Sequence, residues 1–138
     1  MFRADGSLPV GEHLATWLEV EARFGTAGVR RPVLISGLGA ALSNLQGAGC
    51  TTAWIDGSFV TDKPEPNDFD FCWDETGVDL ARLDPVFLDF SNARAAQKAR
   101  YGGEMFPANA SADSLGTPYR SFFQQKFGAP KGIIRIDL

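Results

Sequence analysis

The sequence predicts an α/β protein (α+β in its arrangement), with a short mixed β-sheet flanked by helices. Three patterns indicate this class. Apolar residues recur at helical spacing in the first third of the chain, they alternate with polar residues over 68–73, and an isoleucine-rich run ends the chain. The length of 138 residues is typical of one domain. We therefore expect a single domain over residues 1–138.

Two long helices are predicted in the N-terminal part, after a loop over residues 1–10. The first runs from Glu12 to Phe24, and the second begins near Pro32 and closes at Gly49. Their apolar faces comprise Leu14, Trp17, Leu18 and Ala22 in the first helix, and Leu34, Leu38, Ala41, Leu42, Leu45 and Ala48 in the second. Further helices are predicted to begin at Asp84–Pro85 and to cover Ser91–Tyr101 and Pro118–Phe127.

The predicted strands are Thr51–Ile55, Asp68–Trp73, Glu104–Phe106 and Lys131–Leu138. The second of these alternates strictly: its aromatic residues face one side, and Asp68, Asp70 and Cys72 face the other. The segment between the first two strands is polar and contains two prolines, so it is predicted to be a connection and not a strand.

The charge of the chain is unevenly distributed. The net charge of −4 argues against broad, nonspecific binding of nucleic acid. Residues 1–93 carry 6 basic and 14 acidic side chains, whereas residues 94–138 carry 7 basic and 3 acidic ones. An acidic part that holds cations and a basic part that holds phosphates would suit a metal–nucleotide site. Chance clustering of solvated surface charges produces the same pattern.

The cysteine content and the hydropathy predict the cellular compartment of the protein. Cys50 and Cys72 have no spacing typical of a zinc site or a disulfide framework, so a reducing environment is expected. The first thirteen residues contain no apolar core of a signal peptide, and no run approaches the length of a membrane span. We expect a cytoplasmic protein that does not interact with a membrane.

The main chemical motif is Gly57-Ser58, then nine residues, then Asp68-Phe69-Asp70. Positions two apart on a strand share a face, so the two aspartates are expected to project side by side. Adjacent carboxylates repel each other unless a cation lies between them, and Mg²⁺ prefers oxygen ligands of this kind. A glycine at the end of the preceding strand lets a phosphate approach the backbone closely.

These residues resemble the signature of a known superfamily. Trp54 to Phe59, followed by Asp68 to Phe71, is similar to the motif of polymerase-β-type nucleotidyltransferases. The longer string GSFVTDKPEPNDFDFCWD, with GGEMFPA, FFQQK and PKGIIRIDL, resembles a group of small bacterial and phage nucleotidyltransferase-like proteins, some of them placed beside putative antitoxins. The resemblance implies the minimal nucleotidyltransferase fold.

The resemblance also implies roles for individual residues. Gly57 and Ser58 would bind the triphosphate, Lys131 would contact a phosphate or the substrate, and Asp68 and Asp70 would hold two Mg²⁺ ions, with Mn²⁺ as an alternative. A third carboxylate normally binds metal or accepts a proton from the attacking hydroxyl. The first choice is Glu104, because it follows a helix and a Gly-Gly turn.

Other candidate residues leave alternatives open. Asp89 and then Asp137 follow Glu104 as candidates for the third carboxylate. Lys63, in the connecting loop, either reaches a phosphate or is simply solvated. The basic residues of the predicted helix are Arg94, Lys98 and Arg100. They form either a basic face over the site or an ordinary solvated surface.

The expected reaction is the metal-dependent transfer of a nucleoside monophosphate from an NTP to a hydroxyl. The acceptor would be an RNA 3′ end such as that of tRNA, a protein or a small molecule. The resemblance also implies that the protein is a component of a toxin or phage-defence system with a cognate antitoxin. The alternatives are a non-catalytic nucleotide-binding or interaction module without a third acid, and a metal-dependent nuclease.

Overall fold

The structure is a computed structural model that describes residues 2, 6–126 and 129–138. Within these residues, the helices are α1 (Trp17–Phe24), α2 (Arg30–Gly47), α3 (Ser91–Tyr101) and α4 (Tyr119–Phe122). The strands are β1 (Gly11–Leu14), β2 (Thr52–Asp56), β3 (Phe69–Trp73), β4 (Gly103–Pro107), β5 (Gln125–Lys126), β6 (Ala129–Pro130) and β7 (Gly132–Asp137). No helix in the described ranges is both long and apolar enough to cross a membrane.

Five of the strands form one mixed sheet in the order β1-β7-β2-β3-β4. β2 lies antiparallel to both of its neighbours, β7 and β3, while β1 is parallel to β7 and β4 is parallel to β3. β5 and β6 pair separately as a small antiparallel ribbon. The mixed sheet with its helices confirms the predicted α/β class.

The two faces of the sheet carry different clusters of buried side chains. On one face, the aromatic residues of β3 and the apolar stripe of α2 belong to the larger core. The other face carries a smaller cluster, which comprises Trp54, Cys72, Phe106, Ala108, Phe123 and Ile133. Strand alternation therefore places Phe69, Phe71 and Trp73 in the main core, as predicted, and turns Asp70 toward the smaller cluster.

The predicted helix from Glu12 to Phe24 is wrong in its first part. Glu12 lies in β1, which pairs with β7, and α1 begins only at Trp17. Thr16 caps the helix: its side chain accepts from the backbone N–H of Glu19, and the Glu19 carboxylate accepts from the backbone N–H of Thr16. Of the predicted apolar face, Trp17 packs against the main core, but Leu14, Leu18 and Ala22 are exposed. The buried residues of α1 are Val20 and Phe24.

The other predicted elements differ less from the structure. α2 begins at Arg30, two residues before Pro32, and the apolar positions predicted for this helix are all buried. Asp84 caps a short 3₁₀ turn. The predicted helix Pro118–Phe127 is reduced to the single turn of α4, followed by β5, and its last residue lies outside the described residues. Pairing with β6 takes up the backbone that a longer helix would have used.

A buried arginine connects α2 to the loop that follows β2. The Arg31 side chain donates hydrogen bonds to the backbone carbonyls of Phe59 at 2.6 Å, Thr61 at 2.8 Å and Lys63 at 2.6 Å. A further bond reaches the carbonyl of Phe24 at 3.0 Å. Burial lowers the pKa of Arg31 from its usual value. One guanidinium thus holds the loop that contains Ser58 and Lys63, two of the residues predicted to bind nucleotide.

Replacing Arg31 by methionine is expected to destabilise the protein. The apolar side chain would leave several buried carbonyls without donors, and each costs about 1–3 kcal/mol. We expect the free energy of unfolding, measured by urea denaturation, to fall by about 3 kcal/mol or more. Arg31→Lys restores some donors and should lose less. Equal stability of the wild type and Arg31→Met would contradict this role.

Candidate functional site

Three carboxylates lie in a row across adjacent strands. The register pairs Asp56 of β2 with Asp70 of β3, and Asp70 with Glu104 of β4. Because directly paired residues project to the same side of a sheet, all three side chains share the face of the smaller cluster. Asp56 is buried, with 7% of its surface exposed. We call these three residues the carboxylate row.

Asp68 lies immediately before β3 and not within it, so the predicted strand is one residue too long. Its carboxylate nevertheless interacts electrostatically with the carboxylate row. Partial burial raises the pKa of Asp68, and the negative charge of Glu104 raises it further. Of the three residues predicted to hold metal, the strand register thus pairs Asp70 with Glu104, and Asp68 precedes this pair outside β3.

Asp70 is the most perturbed member of the row. Burial raises its pKa to about 8, and the charges of Asp68, Glu104 and Asp56 add to the effect. A desolvated carboxylate among like charges favours the protonated form. This position is therefore unfavourable for an anion unless positive charge is supplied.

The chain supplies part of that positive charge. Lys131 forms a short ion pair with Asp56. At the other end of the row, Lys98 Nζ lies 2.9 Å from the Glu104 carboxylate and Arg94 lies 3.3 Å from it. Burial still raises the pKa of Asp56 despite its lysine partner. Cationic side chains therefore compensate the negative charges of Asp56 and Glu104, at the two ends of the row. Within the described residues, Asp70 forms no ion pair.

Gly57 directly follows Asp56, and the backbone conformation at this position requires glycine. Its φ of +84° lies in the left-handed region, and a Cβ there would lie 2.5 Å from Oδ2 of Asp70. The turn therefore passes directly over the Asp70 carboxylate. Ser58 comes next, and its hydroxyl makes no hydrogen bond within the described part of the chain.

A polar cavity of about 420 Å³ opens beside this turn. It is lined by Ser7, Gly57, Ser58, Thr61, Asp62, Lys63 and Lys131. The four residues predicted to bind nucleotide, Gly57, Ser58, Lys63 and Lys131, thus all line one space. We call it the phosphate cavity. The ion pair between Lys131 and Asp56 connects its wall to the carboxylate row.

A second cavity of about 430 Å³ lies over the row itself. It is lined by Asp56, Asp70, Arg94, Glu104, Phe106, Ala112, Tyr119, Phe122 and Phe123. We call it the aromatic cavity. The two cavities are similar in size, and the carboxylate row lines this second one together with Arg94 and four aromatic side chains.

The alternative candidates for the third carboxylate lie elsewhere. Asp89 accepts hydrogen bonds from the backbone and hydroxyl of Ser91 and so stabilises the turn before α3. Asp137 is exposed at the end of β7. In the predicted basic face, Arg94 and Lys98 contact Glu104, whereas Arg100 pairs with Asp84 outside the site.

Sequence reasoning missed the role of Asp56. The alternation of Trp54, Ile55 and Asp56 already placed this acid on the same face as the tryptophan, but the register with β3 was needed to set it opposite Asp70. The ion pairs of Glu104 with Arg94 and Lys98 were missed too, because they depend on how α3 packs beside β4. No local pattern in the sequence encodes those contacts.

The donor set suits a hard divalent cation. The carboxylate row and Asp68 offer only oxygen atoms, which are the ligands that Mg²⁺ takes in proteins. A cation would also relieve the repulsion that raises the pKa of Asp70. In the described residues, no three His, Cys, Asp or Glu side chains are yet arranged as metal ligands.

The chain was compared with known families, curated proteins and solved structures. A model of a family of unknown function, DUF6932, matches residues 1–137. No curated protein and no solved structure gives a significant match. The family assignment carries no activity, so the chemistry has to be argued from the site.

The pKa of Asp70 predicts how stability depends on pH without metal. With its pKa raised to about 8, the folded protein keeps the proton up to that pH, whereas the unfolded chain releases it near the ordinary aspartate pKa of 3.8. The stability contributed by this group is therefore complete below pH 3.8 and is lost as pH rises toward 8, at up to about 1.4 kcal/mol per pH unit.

Asp70→Asn removes this titration. We expect its stability relative to the wild type to increase between pH 4 and pH 8, measured by denaturant unfolding in EDTA. Asp137→Asn, an exposed acid, is the control and should show no such trend. A constant stability difference between Asp70→Asn and the wild type over this pH range would show that Asp70 is ionised in the fold.

Proposed function

We propose that this chain, which belongs to the DUF6932 family of unknown function, is a magnesium-dependent nucleotidyltransferase. It would transfer a nucleoside monophosphate from an NTP to a hydroxyl acceptor. One observation carries the proposal: the register sets Asp70 between Asp56 and Glu104, directly under the turn at Gly57. The acid that would bind metal and the turn that would bind phosphate are thus adjacent.

The phosphate cavity suits the β- and γ-phosphates. Lys63 and Lys131 bring positive charge to its lining, and Ser58 brings a hydroxyl donor. The close approach of the Gly57 turn to Asp70 would place the triphosphate beside the carboxylates. Phosphate groups are bound in this way where backbone and lysine donors converge on one space.

Asp68, Asp70 and Glu104 are the residues that would hold Mg²⁺. When bound, the metal would neutralise charge that develops on the transferred phosphoryl group and on the leaving pyrophosphate. Glu104 is paired with Lys98 and Arg94, so binding of metal there has to compete with two ion pairs. Asp70 has no such competing cation in the described residues.

We assign Glu104 as the general base that deprotonates the acceptor hydroxyl. In the proposed reaction, the acceptor oxygen forms a bond to the α-phosphorus while the bond from that phosphorus to the bridging oxygen breaks. Pyrophosphate leaves, and the proton of the acceptor hydroxyl passes to the Glu104 carboxylate. An RNA 3′ end, a protein or a small molecule would provide the hydroxyl. A toxin or phage-defence role with an antitoxin partner rests on resemblance alone.

One observation favours a second function, a nucleotide-binding module without catalysis. The two ion pairs on Glu104 neutralise the group that would accept the proton. Transfer of label from α-labelled NTPs to tRNA or protein separates the two functions. Transfer activity in the wild type that falls in Glu104→Gln by far more than NTP binding does identifies the enzyme. Binding without transfer to any acceptor favours the module.

Binding of NTPs should depend on both Mg²⁺ and Asp70. We expect isothermal titration to show magnesium-dependent binding by the wild type, and at least about ten-fold weaker binding by Asp70→Asn, because a charged ligand–metal contact is lost. Asp137→Asn is the matched control and should bind as the wild type does. Folded wild-type protein that binds no NTP in Mg²⁺ would overturn the proposed function.

Gly57→Ala should weaken NTP binding without a comparable effect at another glycine. A Cβ at Gly57 meets Asp70 and forces a strained φ, so the turn has to move away from the phosphate cavity. We expect affinity for magnesium–NTP to fall by about ten-fold or more. Gly47→Ala is the control, since no atom lies within 4 Å of its added Cβ. Equal affinities of the two variants would exclude this role for the turn.

A further inference from the structure

The aromatic cavity has a surface that the proposed transfer reaction does not yet use. Phe106 follows Glu104 by two residues on β4, so both side chains lie on one face of the sheet. The ring of Tyr119, from α4, stacks on Phe106 with centroids 4.1 Å apart and planes 11° apart. Phe122 meets Tyr119 edge to face and is 41% exposed. Aromatic rings thus lie beside Glu104, the proposed general base.

Among the rings of this cavity, Phe106 and Phe123 are buried and Phe122 is exposed. Burial of an apolar side chain is favourable, so an exposed ring gains when a ligand covers it. Phe122 remains open in the lining of the cavity, and the Tyr119 hydroxyl makes no hydrogen bond in the described part of the chain. A flat ligand would cover the rings and provide the tyrosine with a partner.

Arg94 gives a second and independent indication of a ligand. Its Nε is buried and has no hydrogen-bond acceptor within the described residues. Its guanidinium lies 5.6 Å from the centroid of the Phe106 ring and lines the same cavity. The protein encloses Nε, but the side chain as a whole is 33% exposed, so a ligand in the cavity would meet the terminal nitrogens of the guanidinium.

The backbone at Arg94 is strained as well. Asn92, Ala93 and Arg94 have φ values of 52°, 54° and 62°, in the left-handed region that L-residues rarely adopt. Backbone strain of this kind occurs preferentially at binding and catalytic sites. Here it places the arginine between Glu104 and the aromatic rings.

We propose that the aromatic cavity binds a nucleobase, which packs against Phe122 and Tyr119 and presents an acceptor atom to Arg94. The inference rests on the proposed function and extends it. The volume of about 430 Å³ falls in the range of ligand pockets. Asp70 lines this cavity and lies against Gly57, which lines the phosphate cavity, so a base and phosphates in the two cavities would both lie beside Asp70. The base belongs either to the NTP or to the end of an acceptor strand.

The test compares three probes in Mg²⁺: inorganic tripolyphosphate, ATP and a short single-stranded RNA. Each is titrated into the wild type, Phe122→Ala and Phe122→Leu. The leucine variant keeps the apolar volume and removes the aromatic face. Leu18→Ala, which alters an exposed residue of α1, is the control. Stacking on one aromatic ring predicts at least about five-fold weaker binding of a base-containing probe in both Phe122 variants.

The probes separate the possible outcomes. Weaker binding of ATP with unchanged binding of tripolyphosphate assigns the base to the NTP, and weaker binding of RNA alone assigns it to the acceptor. Unchanged ATP and RNA affinities in both variants overturn the inference. Absence of tripolyphosphate binding by the wild type sinks the proposed phosphate site instead, while an effect of Phe122 on RNA binding would still support the aromatic site.

Discussion

The site depends above all on the register of three strands. Pairing of β2 with β3 and of β3 with β4 sets Asp56, Asp70 and Glu104 side by side on one face, where burial and mutual repulsion raise the pKa of the central carboxyl group to about 8. A shift of one residue in either pair would turn an acid into the main core. The lysine on Asp56 and the cations on Glu104 compensate the two ends of the row and leave its centre available for a metal.

The turn after β2 is fixed from two sides. Gly57 allows the backbone to pass over Asp70, and the Arg31 guanidinium binds successive carbonyls of the loop from the helix side. The phosphate cavity is therefore shaped by backbone whose position is set by a buried, charged side chain. A preformed site of this kind binds its ligand without a large cost of ordering the loop.

Much of the fold was predictable because the patterns are local. The alternation over residues 68–73 identifies β3, and the Gly-Gly turn before Glu104 places β4 after a helix. β1 was not predictable, because its four residues fit a helical pattern and are held as a strand only by pairing with β7. The place of Asp56 in the row and the ion pairs of Glu104 depend on contacts between distant segments, for which the sequence contains no local signal.

In the proposed function, a divalent cation and a nucleotide meet at Asp70. The most direct measurement is an anomalous difference map from crystals grown with Mn²⁺ and a non-hydrolysable NTP. We predict a manganese peak within coordination distance of Asp70 and of Asp68 or Glu104, next to triphosphate density over Gly57. Nucleotide density elsewhere, or bound nucleotide with no manganese at these carboxylates, would contradict it.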